Sequence, residues 1–271
     1  MRRLLPALVL HAVLLVAAAA TLLPLVWMVS VSLMPPGEAA AARLLPEQPT
    51  LEHYRTLFAR LDVARHAANS ALLASAITAL SLLLNAMAGY AFAKLRFACR
   101  DAIFRLLLGA LVIPAQVGML PLFLILKEMG LINTYAGVIV PGLASIFGIF
   151  LVRQHMLSIP ESVLDAARID GASELRIFWS IALPAARPIL ITLGIFTFMG
   201  AWNDFLWPLI VLSEESMFTL PVALANLLGE HAADTELMMA GAVVTVLPMV
   251  ALFLALQRYY VAGVVGGSVK G

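Results

Sequence analysis

The sequence predicts an all-α membrane protein with six transmembrane helices, both termini cytoplasmic, and a short polar helix between the fourth and fifth crossings. Three observations predict it. Of 271 residues, 62% are hydrophobic and 12% are charged, where a soluble domain carries about 25% charged residues. Polar surface is too scarce to cover a globule in water, so the solvent for most of the chain is lipid. Six stretches are long, apolar and nearly free of Asp, Glu, Lys and Arg, and a helix needs about 20 such residues to cross roughly 30 Å of hydrocarbon. Between the fourth and fifth stretches lies a compact polar run, residues 165–172, reading DAARIDGA.

The expected crossings are 8–30, 67–93, 105–126, 135–153, 187–211 and 237–259, within a single transmembrane domain, 1–271. In hydrocarbon the backbone must satisfy its own hydrogen bonds, which favours helices over an open sheet. The stretches are also too long and too uniformly apolar for barrel strands, which alternate over about 10 residues. Arg2 and Arg3 precede the first stretch as in a secretory leader. The apolar run that follows exceeds the 7–15 residues of a leader's core, so it reads as an uncleaved first helix. The segment after it holds Pro35, Pro36, Pro46 and Pro49 and is expected to be loop and short helix. At the second crossing Ala67, Ala71, Ser75 and Ala79 recur every fourth residue. That spacing suits close helix approach in lipid, and it equally suits plain alanine richness. The fifth stretch is interrupted only by Asp204.

Lys and Arg concentrate on the cytoplasmic side of a membrane protein. With the amino terminus inside, 12 of them fall in inner segments and 5 in outer ones, and the acids divide 5 inside to 10 outside. Both termini and the polar run are then cytoplasmic. A net charge of +1 gives no case for nucleic-acid binding. The single Cys99 excludes an internal disulfide framework and a cysteine-based zinc site, and it reads as a loop thiol. His11, His53, His66, His155 and His231 are scattered, without metal or general-base spacing. A phosphate-binding loop needs Gly-Lys-Ser/Thr, and Lys94, Lys127 and Lys270 all lack that setting. The chain is therefore expected not to be an enzyme and to bind no cofactor itself.

Residues 157–185 read as a polar helical hairpin. Ser158 can cap a first helix over 159–170, Pro160 suits its first turn, and Glu161 sits where a capping box places its acid. Gly171 can take the left-handed conformation that ends a helix. Val163, Ala166, Ala167 and Asp170 share a face by helical spacing. The paired alanines leave backbone near the surface for a partner's groove, with Asp165, Arg168 and Asp170 available to pair with its walls. Ser173 restarts a helix, and Pro184 and Pro188 punctuate the entry to the fifth crossing. On physics alone this reads either as a docking knob or as a generic amphipathic loop.

Resemblance separates the two. The pattern Glu-Ala-Ala, three residues, Gly, nine residues, Ile-x-Leu-Pro marks the EAA loop of ATP-binding-cassette (ABC) importer permeases. This chain keeps Ala166, Ala167, Gly171, Ile181, Leu183 and Pro184 at that spacing and has Asp165 at the first position. WNDFLWPL at 202–209, TLP at 219–221, QRYY at 257–260 and GGSVKG at 266–271 resemble the carbohydrate-uptake branch, the shorter permease of the maltose and glycerol-phosphate type. The resemblance implies a multi-pass permease of the bacterial cytoplasmic (inner) membrane, importing a sugar or sugar derivative. It implies a second permease subunit forming a heterodimer, two copies of an ABC ATPase that hold ATP and Mg, and an extracytoplasmic solute-binding protein. Asp165, Ala166, Ala167, Arg168, Asp170 and Gly171 would form the coupling helix seated in the ATPase. The loop between the fifth and sixth crossings would reach the binding protein, and the tail would touch the ATPase dimer. Other solutes, or a proton-coupled transporter using Asp204, are the alternatives.

An ionisable residue inside a crossing is costly and usually functional. Asp204 stands beside Asn203, with Trp202, Phe205 and Trp207 nearby. An amide, a carboxylate and aromatic faces suit a sugar, so Trp202, Asn203 and Asp204 are candidates for the substrate path. Equally, Asp204 anchors the helix at the outer interface. Asn85, Gln116 and Thr245 are weaker path candidates.

Overall fold

A computed structural model describes residues 4–41, 43–230 and 234–266. The described residues are helical with intervening turns, and no strand occurs among them. Three helices are long and apolar enough to cross a membrane unbroken: Leu8–Ser32, Val63–Lys94 and Thr235–Ala255. Three bent pairs supply up to three more crossings, which gives the expected number by length and composition. The helices are α1 Leu4–Ser32, α2 Glu52–Arg60, α3 Val63–Lys94, α4 Arg100–Ala110, α5 Met119–Glu128, α6 Tyr135–Ile139, α7 Ile146–Met156, α8 Glu161–Ile169, α9 Glu174–Ile177, α10 Leu183–Ala185, α11 Arg187–Asn203, α12 Leu206–Val211, α13 Leu220–Glu230 and α14 Thr235–Gly266.

The bends have local causes. Residues 105–126, expected as one apolar run, turn by 98° between α4 and the helical stretch Ala115–Glu128. Pro114 stands at that turn with extended backbone, φ −59° and ψ 134°, and it lacks the N–H that would continue the helix. A 42° bend divides 135–142 from α7, and there the Ser145 hydroxyl accepts from Gly148 N–H to start a new helix. A 77° bend separates 174–185 from α11, at Ala186. Proline inside α1 (Pro24) and α14 (Pro248) does not break either helix.

The chain divides into two compact units, Met1–Ala64 with Ala223–Ala251, and Arg65–Val222 with Leu252–Gly271. In the first, the proline-rich segment forms a 3-10 turn, Glu38–Ala41, and α2, as the sequence predicts. Buried His53 places Nε2 3.1 Å from Met34 O, and Ala39 N–H donates to the Glu236 carboxylate at 2.9 Å. Met34, Leu57 and Ala240 are fully buried there.

The second unit holds two apolar clusters. One gathers Ala86, Tyr90, Val152, Met156, Leu164, Ile177, Phe178 and Leu193 around the base of the polar hairpin. The other gathers Leu73, Ile77, Leu126, Val138, Trp207 and Val211. Of the four-residue series on α3, Ala67 and Ala71 are half-buried and Ser75 and Ala79 are exposed within this chain. The close approach is at Gly89, where a Cβ would lie 2.7 Å from Val152 Cγ1. Asn85, read as a path candidate, is fully buried. Its Oδ1 accepts from Ser145 N–H at 3.0 Å and its Nδ2 donates to Ser81 Oγ at 2.8 Å, so it holds the start of α7 against α3.

Candidate functional site

The polar hairpin forms as two short helices on an apolar base. α8 presents Leu164 inward with no exposure, and Ile177 and Phe178 follow at 1% and 3%. Full burial of side chains of this size contributes about 1.5–3 kcal/mol each, so the hairpin is anchored on the apolar cluster it shares with α3, α7 and α11. α8 ends in a glycine-terminated turn. Gly171 has φ +80°, its N–H donates to Arg168 O at 3.0 Å, and Ala172 N–H donates to Ala167 O at 2.9 Å. This paired bonding is the Schellman arrangement, and a left-handed residue is what permits it. Ser173 then caps α9, its hydroxyl accepting from Arg176 N–H. A π turn, Phe178–Ala182, leads into α10 and the bend before α11.

The start of α8 differs from expectation. Ser158 does not cap it; its hydroxyl donates to His155 O at 2.7 Å and finishes α7 instead. Pro160 is the residue before the helix, and no side chain caps it. Glu161 makes no capping box either. Its carboxylate accepts from Lys94 Nζ at 3.0 Å and lies 3.8 Å from Arg168. The reason is Lys94, whose side chain is only 3% exposed. A buried ammonium needs a counter-charge and acceptors, and Lys94 finds them in Glu161 and in Ile159 O at 2.7 Å.

Arg168 is also occupied within the chain. It donates to Asp165 at 2.7 Å and to Glu174 at 2.7 Å, and Tyr90 OH donates to the other Glu174 oxygen at 2.8 Å. Arg168 holds the Glu174 carboxyl below the usual carboxylate range, chiefly through their hydrogen bond. Glu174 and Asp165 in turn hold the guanidinium charged well above its ordinary range. Lys94, Glu161, Arg168, Asp165, Glu174 and Tyr90 form one continuous polar network. Sequence reading missed Tyr90, Lys94, Glu161 and Glu174 as members. One signal was present: Tyr90 and Lys94 are a turn apart at the polar end of an apolar helix, so they share a face.

The two alanines do not share a fate. Ala166 is exposed, while Ala167 is half-buried and packs against the hairpin's apolar base. The outward face of α8 carries Ala166, Asp170 and Ile169, the last 86% exposed. Val163 and Leu175 are also exposed, at 45% and 61%. Ile169 was not singled out in the sequence, although it is the most exposed apolar residue of α8.

The fifth stretch breaks at its acid. α11 ends at Asn203, Asp204 is extended with ψ 119°, and α12 begins at Leu206. Asp204 Oδ1 accepts from Trp207 N–H at 3.4 Å, so the carboxylate caps the second segment. Asn203 is exposed and donates to Met199 O at 2.9 Å. Trp202 is buried and stacks on Phe198 at 6.1 Å. Gln116 lies exposed in the turn before α5, and Thr245 Oγ1 donates to Gly241 O within α14.

The loop after α12 is fixed to its surroundings. Asn133, with φ +56°, accepts from Ser213 and Glu214 N–H through Oδ1 and donates to the Glu214 carboxylate. Asn69 donates to Ser216 O and Phe218 O, and Ser70 Oγ accepts from Leu220 N–H. The tail 267–271, expected to touch an ATPase, lies outside the described residues.

Residues 85–266 match the family of binding-protein-dependent transport system inner membrane components. The chain is 43% identical over 203 residues to the arabinooligosaccharides transport system permease protein AraQ of Halalkalibacterium halodurans, covering 75% of this chain and 73% of that protein. It is 33% identical over 270 residues to the lactose transport system permease protein LacG of Rhizobium radiobacter, covering 100% and 98%. In structure it is similar to a crystallised bacterial ABC transporter involved in import of the acidic polysaccharide alginate. There the TM-score is 0.79 at 25% identity, over 94% of this chain and 96% of that one.

Proposed function

The chain belongs to the family of binding-protein-dependent transport system inner membrane components, and from that premise we propose that it is one permease half of an ATP-driven importer for an oligosaccharide or sugar derivative. A multi-pass inner-membrane protein of this family supplies the path, and the energy enters from elsewhere. The hairpin 157–185 is the cytoplasmic seat for an ABC ATPase, two copies of which bind ATP and Mg. A second, homologous permease completes the path, and an extracytoplasmic binding protein delivers the solute. Both termini then lie in the cytoplasm. Sugar as the solute class is supported by what AraQ, LacG and the alginate transporter are named for.

One observation carries the reading: a small, internally braced hairpin holds an apolar side chain, Ile169, at 86% exposure. With Leu175 and Val163 also exposed, at 61% and 45%, the knob presents apolar surface that a partner's groove would cover. Asp165, Ala166, Asp170 and Gly171 border that face, and Ala167 and Arg168 brace it from behind. Trp202, Asn203 and Asp204 are proposed to border the solute path, supported by the helix break there and by Asn203's exposure.

Ile169→Glu and Ala166→Arg test the seat, since both change only outward side chains. We expect the ATPase to be lost from the affinity-purified four-subunit assembly, and sugar-stimulated ATP hydrolysis with it. Undiminished recovery of the ATPase with both variants would overturn the reading.

A further inference from the structure

We infer that α3 is a transmission rod, pinned at one end to the docking hairpin and at the other to the loop between the fifth and sixth crossings. The inference rests on the proposed function, which makes the hairpin the point where force enters.

At the hairpin end α3 makes two separate attachments. Lys94 Nζ grips the start of α8 through Ile159 O at 2.7 Å and Glu161 at 3.0 Å. Tyr90 OH grips the start of α9 through Glu174 at 2.8 Å. One rigid face therefore holds both arms of the hairpin, and Arg168 ties the arms together. At the other end, Asn69 Nδ2 donates to Ser216 O at 2.9 Å and Phe218 O at 3.0 Å. Leu220 N–H donates to Ser70 Oγ at 2.8 Å, and Tyr135 OH fixes the Asn69 amide by donating to its Oδ1 at 2.9 Å.

Between the pins the helix is continuous. α3 runs 32 residues without proline, or about 48 Å at 1.5 Å per residue. The bent pairs cannot play this part, because each has a break that absorbs displacement as rotation. An unbroken helix fixed near both ends by directional bonds moves as one body. Displacement of the hairpin then reaches the loop as translation or tilt of α3, and displacement of the loop returns the same way. Coupling between sites is reciprocal, so solute arrival at the loop and nucleotide events at the hairpin would bias the same element. Lys94, Tyr90 and Asn69 are positioning residues in this scheme.

The test uses the complete reconstituted assembly and reads ATP hydrolysis stimulated by solute-loaded binding protein. Lys94→Met releases the hairpin end and Asn69→Leu the loop end. Each should lower the stimulation about tenfold. Because the pins act in series, the double variant should also lose about tenfold and not the roughly hundredfold that independent sites would give. Lys94→Arg should restore most of the stimulation. If Lys94→Met fails to assemble, Tyr90→Phe takes its place, and Ser70→Ala does so for Asn69→Leu. A multiplicative double variant, or single variants with full stimulation, overturns the rod. Failure of the underlying reading is seen separately, in Ile169→Glu that keeps its ATPase.

Discussion

Gly171 shows how one backbone angle ends a helix and turns the hairpin. At φ +80°, with open space where a Cβ would sit, the cost of a side chain there is conformational and not steric. Gly171→Ala should destabilise the end of α8 by about 1 kcal/mol, and Gly171→Asn by less, since Asn tolerates this region. Faster hydrogen exchange at amides 170–172 would report it. Glu174 gives a second residue-scale expectation. Its pKa is lowered in the folded hairpin, so the Arg168–Glu174 bond stabilises the hairpin fully above the ordinary carboxylate range. That stabilisation disappears as pH falls through the depressed value. Hairpin exchange protection should be flat from pH 8 to 5 and fall below about pH 4. Glu174→Gln should abolish that acid step. Both the Gly171 turn and the Ser173 cap were legible, because turn and cap chemistry is local. The pairing of Arg168 with Glu174 was not, because Glu174 reaches it only after the chain turns back at Gly171, and Tyr90 then adds a bond to the same carboxylate from α3.

At the scale of elements, close approach and capping decide where helices meet. Gly89 faces Val152 across α3 and α7, with a notional Cβ at 2.7 Å from Cγ1 and 3.0 Å from Arg153 N. Gly89→Ala should therefore overpack this contact and cost about 1–3 kcal/mol, read as a lower melting temperature in detergent. Asn133 performs two tasks in the loop after α12, left-handed backbone and side-chain clamp. Asn133→Gly keeps the first and loses the second, and Asn133→Ala loses both. Protease sensitivity of residues 212–219 should rise in the order Asn, Gly, Ala. The lengths of the apolar stretches were readable from composition, but their bends were not. The 98° turn at Pro114 and the break at Asp204 have local chemistry behind them. But proline and aspartate also occur in unbroken helices, as Pro24 and Pro248 do here, so residue type alone does not say which one bends the chain. The four-residue spacing of small side chains on α3 left two readings open, and within this chain Ser75 and Ala79 are exposed while the close approach falls at Gly89.

At the scale of the molecule, the chain leaves most of one long helix uncovered by its own residues. The most apolar window of α1, within Leu8–Ser32, has none of its residues buried by this chain, so lipid or a companion subunit covers it. Proteoliposomes holding this chain alone should neither hydrolyse ATP nor accumulate sugar, and uptake should appear only when ATPase, second permease and binding protein are added together. Composition and apolar run length determined by themselves that the chain is a helical membrane protein of about six crossings. The glycine at 171 and the serine at 173, set in a polar run between two apolar stretches, determined that a helical hairpin interrupts the crossings. These are properties of neighbouring residues and of solvent, which the order of residues encodes directly. Only tertiary structure decided that Ala167 turns inward while Ile169 stands out, that Lys94 and Tyr90 hold the hairpin, and that α3 joins its two ends. Those facts depend on contacts between residues 60 to 150 positions apart, and such contacts exist only once the apolar faces have packed.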